Sequence, residues 1–379
     1  MSNSRLVALD YIRAISMLGV IGIHTGAYSL SYSAANPHLF ALYEIVSRFS
    51  VPIFFFVSAF GLFLSQPLNK EFHYPTFMSK RFRTVLLPYL TWSLLYMLHY
   101  TWLSGDTTLW QGPLVFKYLL LGLASYQLYF LVILIWFYAL MPLWRILAAW
   151  LVKNITLGLT SLLLGQIAFN YYSSYILRAN FENHYLNLAI EHRMSYLVLH
   201  YLFIFLLGAV CAERFSQFQA YLKQKSSQIN FCFLLTLAGM LIHYYYLVYY
   251  QHYSLESAVN TVHQLSPLGV LYTASAALFW FKIFSGPLPD KTSALLTQFG
   301  KHSYVIYLVH PFVMYYLLIT LNKISQELTP LTTVFFYLTT LAASFCLSWI
   351  IEKISRHLPL LGLLLTGSSP AKTKLTAKL

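Results

Sequence analysis

Leu9-Asp10-Tyr11-Ile12-Arg13-Ala14-Ile15-Ser16-Met17-Leu18-Gly19-Val20-Ile21-Gly22-Ile23-His24 lies inside an apolar run that extends from Leu6 to about Ala27. At 1.5 Å per residue the run crosses the roughly 30 Å hydrocarbon core of a bilayer, so it reads as a membrane-spanning helix. That helix carries Asp10, Arg13 and His24 at depths where an ionised group costs about 2.5 kcal/mol or more, unless it faces protein or a water-filled cavity. Arg13 and His24 are eleven residues apart, which is about three turns, so they share a face with a rise of roughly 16 Å between them. Asp10 precedes Arg13 by one turn and can hold its guanidinium. One polar stripe therefore points inward along most of the helix.

The whole chain has the composition of such helices. Only 9% of its 379 residues are charged and 58% are hydrophobic, against about 25% charged in a soluble domain, so the class is an all-α, polytopic transmembrane bundle. The first run is too long for a cleavable leader and is read as a retained helix. Apolar windows of spanning length recur near 6–28, 46–65, 84–103, 126–144, 155–172, 195–212, 230–250, 266–285, 302–321 and 331–351, giving about ten helices.

With Arg5 taken as cytoplasmic, 18 of the 24 Lys and Arg residues fall on inner segments and only Arg48, Lys117, Arg178, Arg193 and Lys323 on outer ones. This positive-inside bias places the chain in a cell membrane with both termini cytoplasmic. The formal charge of +13 is spread over loops without one long basic run, which argues against nucleic acid as a partner and for membrane lipids. Residues 1–355 form the membrane domain, and 356–379 a short basic cytoplasmic tail suited to anionic headgroups. Cys211, Cys232 and Cys346 lack metal-type spacing and read as small packing residues. No metal site, phosphate-binding Gly-rich loop or carboxylate pair of glycosidase type is apparent.

Four constellations can carry chemistry. The first is Arg13 with His24. A neutral imidazole serves near pH 7 as a general base or a nucleophile, and the plainer alternative is a packing histidine bonded to a neighbouring carbonyl. The second is Lys80-Arg81-Phe82-Arg83 before Leu87-Pro88-Tyr89. Three cations beside a helix start can grip phosphates, or simply anchor the loop on the cytoplasmic side. The third is Pro52-Ile53-Phe54-Phe55-Phe56-Val57-Ser58-Ala59, in which Pro52 can kink a span and Ser58 can satisfy a freed carbonyl. The fourth is Ser303-Tyr304-Val305-Ile306-Tyr307-Leu308-Val309-His310-Pro311. There Tyr307 and His310 share a face in mid-membrane and Pro311 relaxes the helix.

In this order the four stretches resemble the acyltransferase-3 family of integral membrane acyltransferases. The resemblance rests on the Arg-x10-His spacing, a basic cluster before a Pro-aromatic pair, a Pro-x-Phe-Phe-x-x-Ser run and a Ser-Tyr-x-x-Tyr-x-x-His-Pro run. Ala59 stands where the family usually has Gly, and Tyr129-Phe130 where it often has Trp-Phe. The resemblance implies transfer of a small acyl group, most often acetyl, from cytosolic acyl-CoA to a hydroxyl of a cell-surface glycan or lipid-linked sugar.

On that footing His24 and Arg13 are the catalytic candidates, and Lys80, Arg81 and Arg83 hold the donor's phosphates. Asp10, Ser58, Tyr307 and His310 line the path, and no cofactor is permanently bound. The segments Gln166–Tyr172 and Ser195–Glu213 are similar to the intercellular-adhesion membrane proteins of exopolysaccharide operons. This suggests an exopolysaccharide acceptor and partners in glycan synthesis. The competing reading is an exporter of such a glycan without acyl transfer.

Overall fold

The computed structural model describes residues 6–32, 35–324 and 326–368. Among them there is no β-strand, and all ten apolar windows lie on helices: α1 Val7–Ser29, α2 Pro37–Ser65, α3 Leu87–Ser104, α4 Tyr129–Ala139, α5 Ile155–Tyr171, α6 Val198–Glu213, α7 Ser226–Tyr249, α8 Pro267–Phe284, α9 Asp290–Lys323 and α10 Pro330–His357. Six of these are long and apolar enough to cross a membrane, and eight if each of two bent pairs counts as one span. The protein is thus a multi-pass helical bundle, with six to eight spans meeting that standard where the windows suggest about ten. The two remaining helices, α3 and α5, have 18 and 17 residues and fall short of it on their own.

Local sequence explains where the spans begin. Asn36-Pro37, Ser266-Pro267 and Thr329-Pro330 each place a capping side chain ahead of a proline in the first turn, and the caps accept from the amides of His38, Gly269 and Thr332. These caps satisfy amides that no preceding turn can reach, and proline has no amide to satisfy. The cap at Asn36 starts α2 well before the expected residue 46. The helix then runs through a π-helical turn, Ala41–Ile45, and a 3-10 stretch, Val46–Phe49.

The expected span at 126–144 is likewise altered. Its helix starts at Tyr129 after an irregular turn and bends by 72° at Leu140 into Met141–Lys153, with Pro142 in the first turn of the new helix. A second bend of 101° turns α6 into Phe215–Gln224. The bends are tied to the loop after α2. Arg145 Nη1 donates to the Gln66 carbonyl at 2.7 Å, and the Leu68 amide donates to Glu213 Oε1 at 2.8 Å.

Small residues let the helices meet. A Cβ on Gly208 of α6 would lie 2.4 Å from the Phe56 carbonyl oxygen of α2, and one on Gly300 of α9 would lie 2.1 Å from the Asp10 carbonyl oxygen of α1. Lipid offers no hydrophobic drive between helices, so such close backbone packing is a main source of association. Helices α1 and α9 run parallel from this contact: Tyr11 bonds Ser293 near their starts, and the rings of His24 and His310 stack further along. Stacked Phe137 and Phe205, with centroids 4.2 Å apart, fill the interior between α4 and α6.

The segment expected to be a tail begins with a further helix, Pro359–Thr366, that returns to the bundle, where Trp92 Nε1 donates to the Leu365 carbonyl at 2.9 Å. Residues 369–379, which hold the basic part of that tail, lie outside the described residues.

Gly208→Ala forces a methyl group into the Phe56 backbone and is expected to destabilise the protein by about 1–3 kcal/mol. Gly165→Ala, with nothing within 4 Å, is expected to be neutral or slightly stabilising. Thermal unfolding of the two variants in detergent checks both.

Candidate active site

A cavity of about 330 Å³ lies in the half of the bundle where α1 begins, with Arg13, Ser58, Arg81, Tyr138, Lys301 and Tyr304 in its wall. Four helices, α1, α2, α4 and α9, and the approach to α3 each contribute a polar group. Asp10, 1% exposed, holds Arg13 Nη1 at 2.9 Å, and the Arg13 side chain remains one-third exposed. The carboxylate thus directs one edge of the guanidinium while the side chain still meets the cavity. Arg81 lies over the rings of Phe77 and Tyr138, 5.1 and 5.2 Å from their centroids, with its Nε buried and unbonded. Aromatic faces stabilise a cation without neutralising it. Ser58 Oγ and the Tyr138 hydroxyl are 3.1 Å apart beside it.

Of the three cations in the basic cluster, only Arg81 lines this cavity. Lys80 and Arg83 are exposed nearby, the latter on the π-helical turn Phe82–Leu86 that leads into α3. Lys301, one of the cations counted on inner segments, also takes a place in this cavity.

A second, smaller cavity of about 60 Å³ lies further along α1, lined by His24, Arg48, Gln127, Tyr129, Gln264 and Tyr307. Phe130 and Tyr307 belong to both linings and form the partition between the two cavities. The Tyr307 hydroxyl donates to the Gln127 carbonyl, which fixes its half of the partition.

His24 meets His310 here. Their ring centroids are 5.3 Å apart with planes inclined by 24°, and Tyr126 packs against both, 4.3 Å from His24 and 6.3 Å from His310. Pro311 explains the pose of His310. Lacking an amide proton, Pro311 cannot bond the Tyr307 carbonyl one turn back. His310 Nδ1 takes that carbonyl instead, at 2.8 Å. A carbonyl can only accept, so Nδ1 carries a proton, and in the neutral ring Nε2 is left as the acceptor. That nitrogen is buried with no hydrogen-bond partner. Half-buried His24 faces the cavity. No three His, Cys, Asp or Glu side chains among the described residues gather as a metal site needs.

The Arg13–His24 stripe, Ser58, Tyr307 and His310 therefore come together around two adjoining cavities. Sequence reasoning missed Arg48, Tyr126 and Gln127. Arg48 lies inside α2 because that helix starts at Pro37, and its Nη2 is 2.9 Å from Glu44 Oε2. Tyr126 and Gln127 come from the irregular turn after the short helix Gly112–Leu121, where Gly122 adopts φ +69° and a Cβ would lie 2.8 Å from the Tyr129 backbone. Irregular backbone at this depth is tolerated where it lines a cavity. Gln127 within an apolar window and Gly122 just ahead of it were the available signals.

Neither the curated proteins nor the solved structures contain a match to the chain. A family model described as an acyltransferase domain matches residues 6–353, which takes in α1 with Arg13 and His24 and α9 with Tyr307 and His310. By that match over nearly its whole length, the chain belongs to the acyltransferase-3 family and the protein is a membrane acyltransferase.

Proposed function

We propose that the protein moves an acetyl group from acetyl-CoA, bound at the cavity of Arg13, Arg81 and Lys301, to a hydroxyl of a cell-surface glycan or lipid-linked sugar reaching His24 from the other side. The observation that carries this reading is the partition. Cations line one cavity, His24 with His310 stacked on it borders the next, and Phe130 and Tyr307 line both. The positive-inside bias orients the cationic cavity toward the cytoplasm of a cell membrane, where acyl-CoA is made.

In this reading the thioester arm enters the larger cavity while the nucleotide phosphates stay at its mouth. Arg81 and Lys301 hold the phosphates there, with Lys80 and Arg83 adding a long-range field from the surface. Arg13, held by Asp10 and roughly 16 Å of helix rise before His24, orients the donor arm in the larger cavity. His24 takes the proton of the acceptor hydroxyl as its oxygen attacks the acyl carbon. The carbon–sulfur bond then breaks, the electron pair leaves on coenzyme A sulfur, and the proton passes from His24 to the thiolate. His310 stacks on His24 and holds its ring orientation, its own pose fixed by the Tyr307 carbonyl.

The exporter reading fits less well. The cavity at His24 has room for about four water molecules, enough for an acetyl group and too little for a sugar ring.

With the protein in native membranes, His24→Ala is expected to lower transfer of radiolabelled acetyl groups to the glycan fraction by about 10²–10⁴-fold. Equal labelling with native protein and variant would remove the role given to His24. Arg81→Ala and Lys301→Ala are expected to raise KM for acetyl-CoA several-fold with a smaller change in kcat, and Lys80→Ala to do less. Initial rates against acetyl-CoA concentration at low and high salt distinguish these, because an exposed cation's effect is screened.

A further inference from the structure

Beyond His24, toward the end of the bundle where α1 finishes, lies a third cavity of about 450 Å³. It is continuous in lining with the histidine cavity, since Ile23 and Arg48 belong to both. Its polar groups are Ser31, Glu44, Arg48, Glu256 and Asn260, and Phe40 and Val259 give it apolar wall. We propose that this chamber is the acceptor-binding subsite, and that it takes a hydroxyl-rich saccharide segment without anionic groups; the assignment rests on the acyl-transfer reading above.

The chamber is built by several elements. Glu44 sits on the π-helical turn Ala41–Ile45, an insertion that often marks functional sites. Gly26 of α1 leaves room for it, because a Cβ there would lie 2.9 Å from Glu44 Cγ. Glu44 is only 3% exposed. Glu256 and Asn260 are exposed at the rim, one turn apart on the short helix Leu255–Thr261, which Ser254 caps by accepting from the Ser257 amide.

Arg48 joins the two cavities. Its Nη2 pairs with Glu44 at 2.9 Å and its Nη1 reaches Gln264 Oε1 at 3.5 Å, while its Nε is buried with no hydrogen-bond partner. Glu44 and Gln264 thus hold Nη2 and Nη1 and set the guanidinium across the two linings.

The donor set defines the ligand class. Two carboxylates and an amide offer paired acceptors for vicinal hydroxyls, and Arg48 offers donors for ring or hydroxyl oxygen. The Phe40 ring and the Val259 side chain give apolar surface to the C–H face of a sugar. Two acidic side chains against one guanidinium give the chamber a negative balance, which repels uronate, phosphate or sulfate groups. A hydroxyl placed between Arg48 and Ile23 points at His24, so the chamber also selects which hydroxyl is acylated.

The test separates donor from acceptor chemistry. Membranes containing the native protein are given radiolabelled acetyl-CoA, and release of coenzyme A and label in the glycan fraction are followed together. Glu256→Gln and Asn260→Ala are each expected to lower glycan label and coenzyme A release together about tenfold, as for loss of one hydrogen bond to the acceptor, while the KM for acetyl-CoA stays native. Glu191→Gln, at the exposed end of the short helix His184–Glu191 and outside the chamber's lining, serves as control. Added neutral cellotetraose is expected to compete for label better than an equal concentration of tetragalacturonate. Native labelling rates in both variants, or better competition by the anionic sugar, overturn the acceptor assignment while leaving the transfer reading intact. Absence of coenzyme A release from the native protein overturns that reading and this one with it.

Discussion

The Tyr307 carbonyl has no helical donor, because the residue one turn later is Pro311, and at membrane depth no bulk water replaces it. His310 satisfies that carbonyl through Nδ1 at 2.8 Å, and the rest of the centre follows. The bond fixes the ring and turns Nε2 inward. It also places the imidazole against His24, whose helix is held to α9 by the close approach at Gly300 and by Tyr11 with Ser293. The same turn of α9 carries Tyr307 into the partition. A backbone defect is thus the means by which two histidines far apart in sequence become neighbours.

Much of this was legible in the chain. The spacing of Arg13 and His24 puts them on one face of a helix by period alone, and the order of motifs pointed to the family. His310-Pro311 also announced a local break. What periodicity could not supply was contact between helices: nothing in either stretch says that residue 310 stacks on residue 24. Arg48 was read as an outer-loop charge because the apolar window opens near residue 46. The helix opens at Asn36-Pro37, which puts Arg48 about three turns inside it. The cap was visible in the sequence, but hydropathy outweighed it. Lys301 was hidden differently. Its helix begins at Asp290, ahead of the apolar window, so a residue counted among the inner-segment cations sits within a continuous helix at a cavity wall.

The three cavities differ in size and charge in a way that suits passage of a small group between two larger ligands. Cations without a matching number of carboxylates mark the first, which favours an anionic donor. The histidine cavity is small and nearly free of formal charge apart from Arg48, so a reacting carbonyl there is shielded from competing water. The third carries excess carboxylate and opens at exposed Glu256 and Asn260. In the proposed function this order discourages a polyanionic donor from crossing and a saccharide from going the other way. Selectivity arises from the order of the chambers as much as from any one of them.

The central claim is transfer between ligands held on opposite sides of one membrane. Sealed vesicles with the basic face outward receive radiolabelled acetyl-CoA outside, and the label on glycan is then challenged with externally added glycan-degrading enzyme before and after the vesicles are opened. The account predicts label that resists the enzyme until opening and that is lost with His24→Ala. Label removed before opening, or label unchanged in the variant, would contradict it.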